Sequence, residues 1–227
     1  IPTITKVGYE VGEFVGFDLA HAVGNVPLNL HEDQVDFAVW CTYKYLNSGP
    51  GGVGGLFIHE KHAQDKATPR LSGWWGHDAK ARFNMNNEIN PIPTVDGWQL
   101  SNVNVLSHAS HLASLQLFDE AGIDNLRSKS LQLTKWMEDL IHGSEKLKDQ
   151  IKILTPSDPN QRGAQLSIYL LNHGKEVFEF LVDHGVILDW REPNVIRVAP
   201  VPLYNSFEDV VAFISILEEA IEHEGNN

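Results

Sequence analysis

Cysteine is nearly absent from this sequence. The single Cys41 among 227 residues excludes an internal disulfide and any zinc site built on several thiolates, and it fits a reducing, cytoplasmic setting. Basic charge is scarce as well. Seventeen Lys and Arg stand against 30 Asp and Glu, for a formal charge of −13, and no two basic residues are adjacent. Such a surface repels phosphate backbones, so nucleic acid is excluded as a partner. No apolar run reaches the roughly 18 residues of a membrane span, and no signal-peptide pattern is visible. The opening stretch IPTITKVGYEVG starts on Ile1 and shows no helix start signal, so the chain is expected to be a piece of a longer protein.

What is present is enough apolar residue, 42% of the chain, to bury a core in one large domain or two small ones. Phe14 to Leu19 reads as a strand whose apolar run predicts burial on both faces. Further strands are expected at Asp36 to Cys41 and Val53 to His59, joined by a glycine-rich turn. Residues 66 to 101 are rich in Pro, Gly, Trp and Asn without a helical period, which predicts a long functional loop. Helical spacing of apolar residues follows from Val103 to Ala121 and from Asp124 to Leu147. The rest alternates: strands at Ile151 to Leu154, Gln165 to Leu171, Val186 to Trp190 and Val195 to Val198, and helices at Lys175 to His184 and Ser206 to about Glu222. This order fits a small α+β domain with its helices on one sheet face.

The segment VWCTYKYLNSGPGGVGG (39–55) places a lysine, Lys44, between a strand and a stretch with five glycines. A lysine at a strand end is usually a solvated charge. Here Asp18 ends another apolar strand 26 residues earlier, and His21 follows it in FDLAH. At the carboxyl edge of parallel strands, where α/β sheets bind ligands, both groups would face one crevice. A carbonyl-reactive amine opposite a carboxylate suits an aldehyde cofactor with a basic ring nitrogen: the amine forms a Schiff base, and the carboxylate keeps the ring protonated. Glycines after Lys44 would let backbone approach the ligand or a partner subunit.

These motifs, VGFDLAHAVGN, DFAVWCTYKYLNSGPGGVGGLFIHEKH, GWWGHD, LSNVNV and IRVAPVPLYNSFEDV, resemble kynureninase, a pyridoxal-phosphate enzyme of fold type I, the class V aminotransferase-like group. The resemblance runs over essentially all 227 residues and implies an α/β fold. Residues 1–120 would be the C-terminal part of the large cofactor-binding domain with a mostly parallel sheet, and residues 121–227 a small C-terminal α+β domain. It implies that Lys44 forms the Schiff base, that Asp18 contacts the pyridinium nitrogen and that His21 sits beside the ring. Tyr43 would reach the cofactor phosphate and transfer protons. Trp74 and Asn102 would reach the phosphate and substrate across the interface of a homodimer, although the adjacent Trp75 leaves a register of one residue open. Arg197 would clamp the substrate α-carboxylate; taken alone, VIRVAP reads as an edge strand with one outward charge.

The implied reaction is hydrolytic Cβ–Cγ cleavage of kynurenine or 3-hydroxykynurenine to alanine and an anthranilate, a step of tryptophan catabolism toward NAD. Two other readings stand beside it, another fold type I enzyme such as an aminotransferase, and a non-catalytic fragment. Other motifs point elsewhere less well. HEKH (59–62) and HASH (108–111) space histidines at i and i+3 but lack a third metal ligand, and no metal is expected. GPGGVGG lacks the ending of a nucleotide-binding loop. Cysteine desulfurases resemble this chain in fold, but their pattern has His before the Schiff-base lysine and a reactive Cys on a mobile loop; here Tyr43 precedes Lys44, and Cys41 lies in a strand.

Overall fold

The computed structural model describes residues 1–85 and 87–225, which divide into two compact units, Ile1–Glu120 and Ala121–Asn227. The first unit opens with helix α1 (Pro2–Glu10), contrary to the expectation of no helix there. The signal is Pro2 itself, at the first helical position, where its fixed φ and missing N–H carry no penalty. Strands β1 (Gly16–Asp18), β2 (Phe37–Cys41) and β3 (Gly54–Ile58) form one sheet in that order. β1 and β2 run parallel, with Asp18 opposite Val39. β2 and β3 are antiparallel, joined by the glycine-rich turn, so the sheet is mixed.

β1 is shorter than the apolar run predicts and is not buried on both faces. Gly16 and Asp18 are exposed, as are Phe14, Phe37, Val39 and Leu56. After the short helix α2 (Glu60–Ala63), the described residues up to 104 show no regular structure except an isolated His77–Pro91 bridge and a 3-10 turn at Val95–Trp98. Helix α3 (Val105–Ala121) then begins.

The second unit holds helix α4 (Ile123–Gly143), strands β4 (Ile151–Ile153) and β5 (Leu166–Leu170), helix α5 (Gly174–Asp183), strands β6 (Asp189–Arg191) and β7 (Val195–Val198), and helix α6 (Phe207–Gly225). The sheet order is β4-β5-β7-β6, antiparallel throughout. Residues 186–188 are not strand, and β7 lies between β5 and β6 instead of at an edge. The core follows from two periods. Leu166, Ile168 and Leu170 alternate on one face of β5, and Val210, Phe213, Ile214 and Leu217 recur at helical spacing on α6, all buried in one cluster. Ser206 and Asp209 form a reciprocal cap at the start of α6: the Asp209 amide donates to Ser206 Oγ at 3.2 Å and the Ser206 amide to Asp209 Oδ2 at 2.8 Å. A buried ion pair joins Arg162 to Glu138 of α4 at 2.9 Å.

Candidate active site

Asp18 closes β1, and its Oδ1 accepts a hydrogen bond from the Ala20 amide at 2.9 Å. Among the described residues its second oxygen has no hydrogen-bond partner. The next residue, buried Leu19, extends the parallel pairing by donating from its amide to the Val39 carbonyl at 2.8 Å. The turn that follows then crosses to the segment bearing Lys44. Cys41 Sγ lies 3.9 Å from the Ala20 carbonyl oxygen, and the His21 ring stands edge-on to Tyr45 with centroids 6.1 Å apart. Gly24, at φ +80°, packs so closely that a Cβ there would lie 3.0 Å from the Tyr45 carbonyl group. Only glycine combines that dihedral with that approach. The turns after Asp18 and around Lys44 are therefore packed together at the carboxyl edge of β1 and β2.

Lys44 is partly buried, and among the described residues its ammonium has no hydrogen-bond or ion-pair partner. Tyr43 beside it is half exposed. The surrounding backbone is tied down by hydroxyls. Thr42 Oγ1 donates to the Val53 carbonyl at 2.6 Å, which commits its one proton, so the 2.6 Å contact between Thr42 and Ser48 hydroxyls must be donated by Ser48. From α3, Ser110 Oγ donates to the Ser48 carbonyl at 2.6 Å and Ser114 Oγ to the Leu46 carbonyl. No motif in the sequence marks these groups; the nearest signal is the i, i+4 spacing of Ser110 and Ser114 in an otherwise apolar helical pattern.

The long loop brings the backbone beside Trp74 near the segment that leads to Asn102. A Cβ on Gly73 would lie 2.1 Å from the Leu100 carbonyl oxygen, so the backbone just before Trp74 packs directly against Leu100, two residues before Asn102. Trp74 packs edge-on against Phe83, whereas Trp75 lies under the Arg82 guanidinium, 4.7 Å from its ring centre. Among the described residues, no hydrogen bond or ring contact joins Trp74 or Asn102 to the Asp18 and Lys44 turns. Arg197 stands on β7 in the second unit. Its guanidinium is engaged from Nε and Nη2 by Asp189 Oδ2, directly opposite in the β6 register. The strand assigned from VIRVAP is thus internal, and its charge is paired with Asp189, which the sequence pattern does not mark.

In the histidine pairs, His59, His62 and His108 make hydrogen bonds within the first unit. His59 caps α2, accepting from the Lys61 amide at 3.3 Å, and burial holds its imidazole below its ordinary pKa, with Lys61 adding to the effect. His62 bonds Asp36 at 2.6 Å. Asp36 also accepts from Tyr9, the Val15 amide and Lys61. Burial alone would raise this carboxyl, yet the hydrogen bonds from His62, Lys61, Val15 and Tyr9 carry it far below the usual carboxylate range. In HASH, His108 bonds the Asn104 carbonyl at 2.8 Å, and burial, followed by His108, lowers the pKa of His111. Among the described residues no group of three or more His, Cys, Asp or Glu side chains is placed to hold a metal ion.

Asp18 and Lys44 thus stand on adjoining turns at the carboxyl edge of β1 and β2, in a unit of α/β architecture. Solved structures share that architecture. An apo cysteine desulfurase from Thermococcus onnurineus superposes with a TM-score of 0.79 at 18% identity, over 98% of this chain and 56% of that one. The cystine C–S lyase C-DES, solved with its product cysteine persulfide, gives 0.70 at 19% identity over 88% and 50%. At such identity they establish the fold alone. By sequence, residues 126–217 match the model of the kynureninase C-terminal domain. The chain is 50% identical to the kynureninase of Flavobacterium psychrophilum over 220 residues, 96% of this chain and 52% of that protein. The kynureninase of Xanthomonas campestris pv. campestris strain B100 is 52% identical over 97% of this chain and 50% of its own length. The chain spans about half the length of the curated relatives it matches.

Proposed function

We propose that this chain carries the catalytic lysine of a kynureninase, which hydrolyses the Cβ–Cγ bond of kynurenine or 3-hydroxykynurenine to give alanine and the corresponding anthranilate, with pyridoxal 5′-phosphate as cofactor. The observation that carries this reading is the adjoining placement of Asp18 and Lys44 at the carboxyl edge of β1 and β2. The available groups fit that cofactor, since among the described residues one carboxylate oxygen and one amine, on adjoining turns, have no hydrogen-bond or ion-pair partner.

When bound, the cofactor supplies an aldehyde for an amine and a protonated ring that withdraws electrons from the carbon beside it. Lys44 Nζ would hold it covalently until the substrate amine takes its place, and the freed amine would then remove the substrate α-proton. Asp18 would hold the proton on the ring nitrogen through its unshared oxygen, with the Ala20 amide fixing the other. His21, edge-on to Tyr45, would flank the ring. Tyr43 would return a proton to carbon when the aryl carboxylate departs, after water has added to the ketone. Trp74 and Asn102, on segments that pack together at Gly73 and Leu100, would bind phosphate and substrate in a homodimer. Arg197 would bind the substrate α-carboxylate, and residues 1–120 and 121–227 would be the cofactor-binding and small domains. A cytoplasmic setting belongs to the same proposal, supported by the lone free thiol.

Cysteine desulfurase chemistry has less support, because Cys41 ends β2 with its thiol against the Ala20 carbonyl. The exposed apolar residues of the first unit, and the doubled length of the relatives, support a further part of the proposal: the 227-residue chain alone holds the cofactor weakly.

Borohydride reduction in the presence of pyridoxal phosphate, followed by peptide mapping, tests the reading. Label is expected on the peptide containing Tyr43 and Lys44 and is lost in Lys44→Ala. Label at Lys61 or Lys66 in its place overturns the assignment. In the full-length protein, Asp18→Asn should lower kynurenine turnover by orders of magnitude, and near-normal turnover would reduce Asp18 to a structural role.

A further inference from the structure

We infer that four hydroxyls, those of Thr42, Ser48, Ser110 and Ser114, are positioning residues that hold the Lys44 amine where an aldehyde ligand can reach it. The inference rests on the reading of Lys44 as the cofactor's lysine. Lys44 sits in a turn with few side chains of its own to fix its shape. The turn contains Asn47 at φ 54° and Gly49 at φ 84°, followed by glycines that offer no side chains to pack. Its geometry is instead set by its carbonyls, and these are satisfied from two sides.

On the sheet side, the Ser48 amide donates to the Thr42 carbonyl at 3.1 Å, and the proton chain runs from Ser48 Oγ to Thr42 Oγ1 to the Val53 carbonyl. Both hydroxyl residues are buried, Thr42 completely. Gly52 is required for this closure, because a Cβ there would lie 2.1 Å from Ser48 Oγ. On the helix side, Ser114 takes the Leu46 carbonyl and Ser110 the Ser48 carbonyl, one turn of α3 apart. Lys44 is thus suspended between the strand end and α3. Its own carbonyl is capped by the Asn47 amide at 2.9 Å.

Each of these groups is uncharged and none touches the lysine, so their effect is on where the amine stands. A reacting group displaced by about 1 Å loses on the order of a hundredfold in rate. α3 also begins three residues after Asn102, so the helix that fixes the Lys44 turn is continuous with the segment proposed to meet phosphate and substrate.

The test uses the intact protein in four variants: Thr42→Val, which keeps shape and removes the hydroxyl; Thr42→Ser, which restores it; Ser114→Ala; and Ser110→Ala. Each is reduced with borohydride in excess pyridoxal phosphate, and the share of label on Lys44 relative to the other lysines is read by mass spectrometry. Circular dichroism and thermal unfolding are measured alongside. The expected result is about a tenfold loss of the Lys44 share in Thr42→Val and Ser114→Ala, a smaller loss in Ser110→Ala, and a wild-type share in Thr42→Ser. Ser110 lies on the exposed surface, so its variant reports even where Ser114→Ala fails to fold. A wild-type share in every folded variant overturns the positioning role while leaving Lys44 as the cofactor's lysine. Label on another lysine in the unsubstituted protein overturns both.

Discussion

The two units differ in how they are held together. Among the described residues of the second, seventeen buried side chains form one cluster from Leu133 to Ala220, fed by α4, α5, α6 and all the strands except β6. In the first, the buried cluster is Leu19, Val35 and Ala38, with partly covered neighbours. Phe14 and Phe37 lie open there, and on α3 Leu106 is 83% exposed and Leu112 and Leu117 more than half. A three-stranded sheet with so little behind it is marginal, and apolar surface on this scale marks a face meant for cover. Of the proposed site residues, all but Arg197 lie on this less covered side. The first unit compensates with polar ties: the hydroxyls around Lys44, and the four-donor cluster on Asp36 that joins α1, β2 and α2.

The largest test of this contrast is dissection. Residues 121–227 expressed alone should unfold cooperatively as a monomer, while residues 1–120 should associate or aggregate, as read by sedimentation and thermal melts. A monomeric, cooperative first unit would break the comparison. A smaller effect sharpens it. Leu217→Ala empties a fully buried site and should cost about 2–5 kcal/mol in urea unfolding, whereas Val39→Ala, on an exposed face, should stay within about 0.5 kcal/mol.

A pH-dependent effect concerns the polar ties. Asp36→Ala should cost about 2 kcal/mol at neutral pH. The folded state depresses this carboxyl below its ordinary 3.8, so the unfolded chain binds its proton first on acidification. The stability from Asp36 is full above that value and drains away as pH falls below it. Urea unfolding at a series of pH values should show the wild type losing this increment below about pH 4, with the Asp36→Ala variant flatter over the same range. Parallel slopes would mean that the cluster contributes nothing to the first unit.

Much of the fold was legible where order is local. The helical periods ending at Ala121 and running through Met137 and Ile141 lead directly to α3 and α4, and the alternation in LSIYL leads to β5. For Asp18 and Lys44 taken singly the sequence favours a solvated charge, and the proposed chemistry rests on the longer motifs around them. Where reading by period failed, a local preference was overridden. The apolar run at Phe14 to Leu19 predicts burial that the first unit does not provide, and residues 186–188 carry strand-like composition without a strand partner.

By itself, then, the sequence determined most of the elements, their order and the likeness to kynureninase, since each depends on runs of neighbouring residues, and it proposed the pair Asp18 and Lys44. Only the tertiary structure decided what holds them. Ser114 reaches a carbonyl 68 residues away, Tyr9 a carboxylate 27 residues away, and Arg197 a carboxylate across two strands whose pairing no spacing announces. A hydrogen bond needs its partners within about 3 Å, and that proximity is a property of the folded chain, because a serine or an aspartate carries no mark of the distant group it will meet.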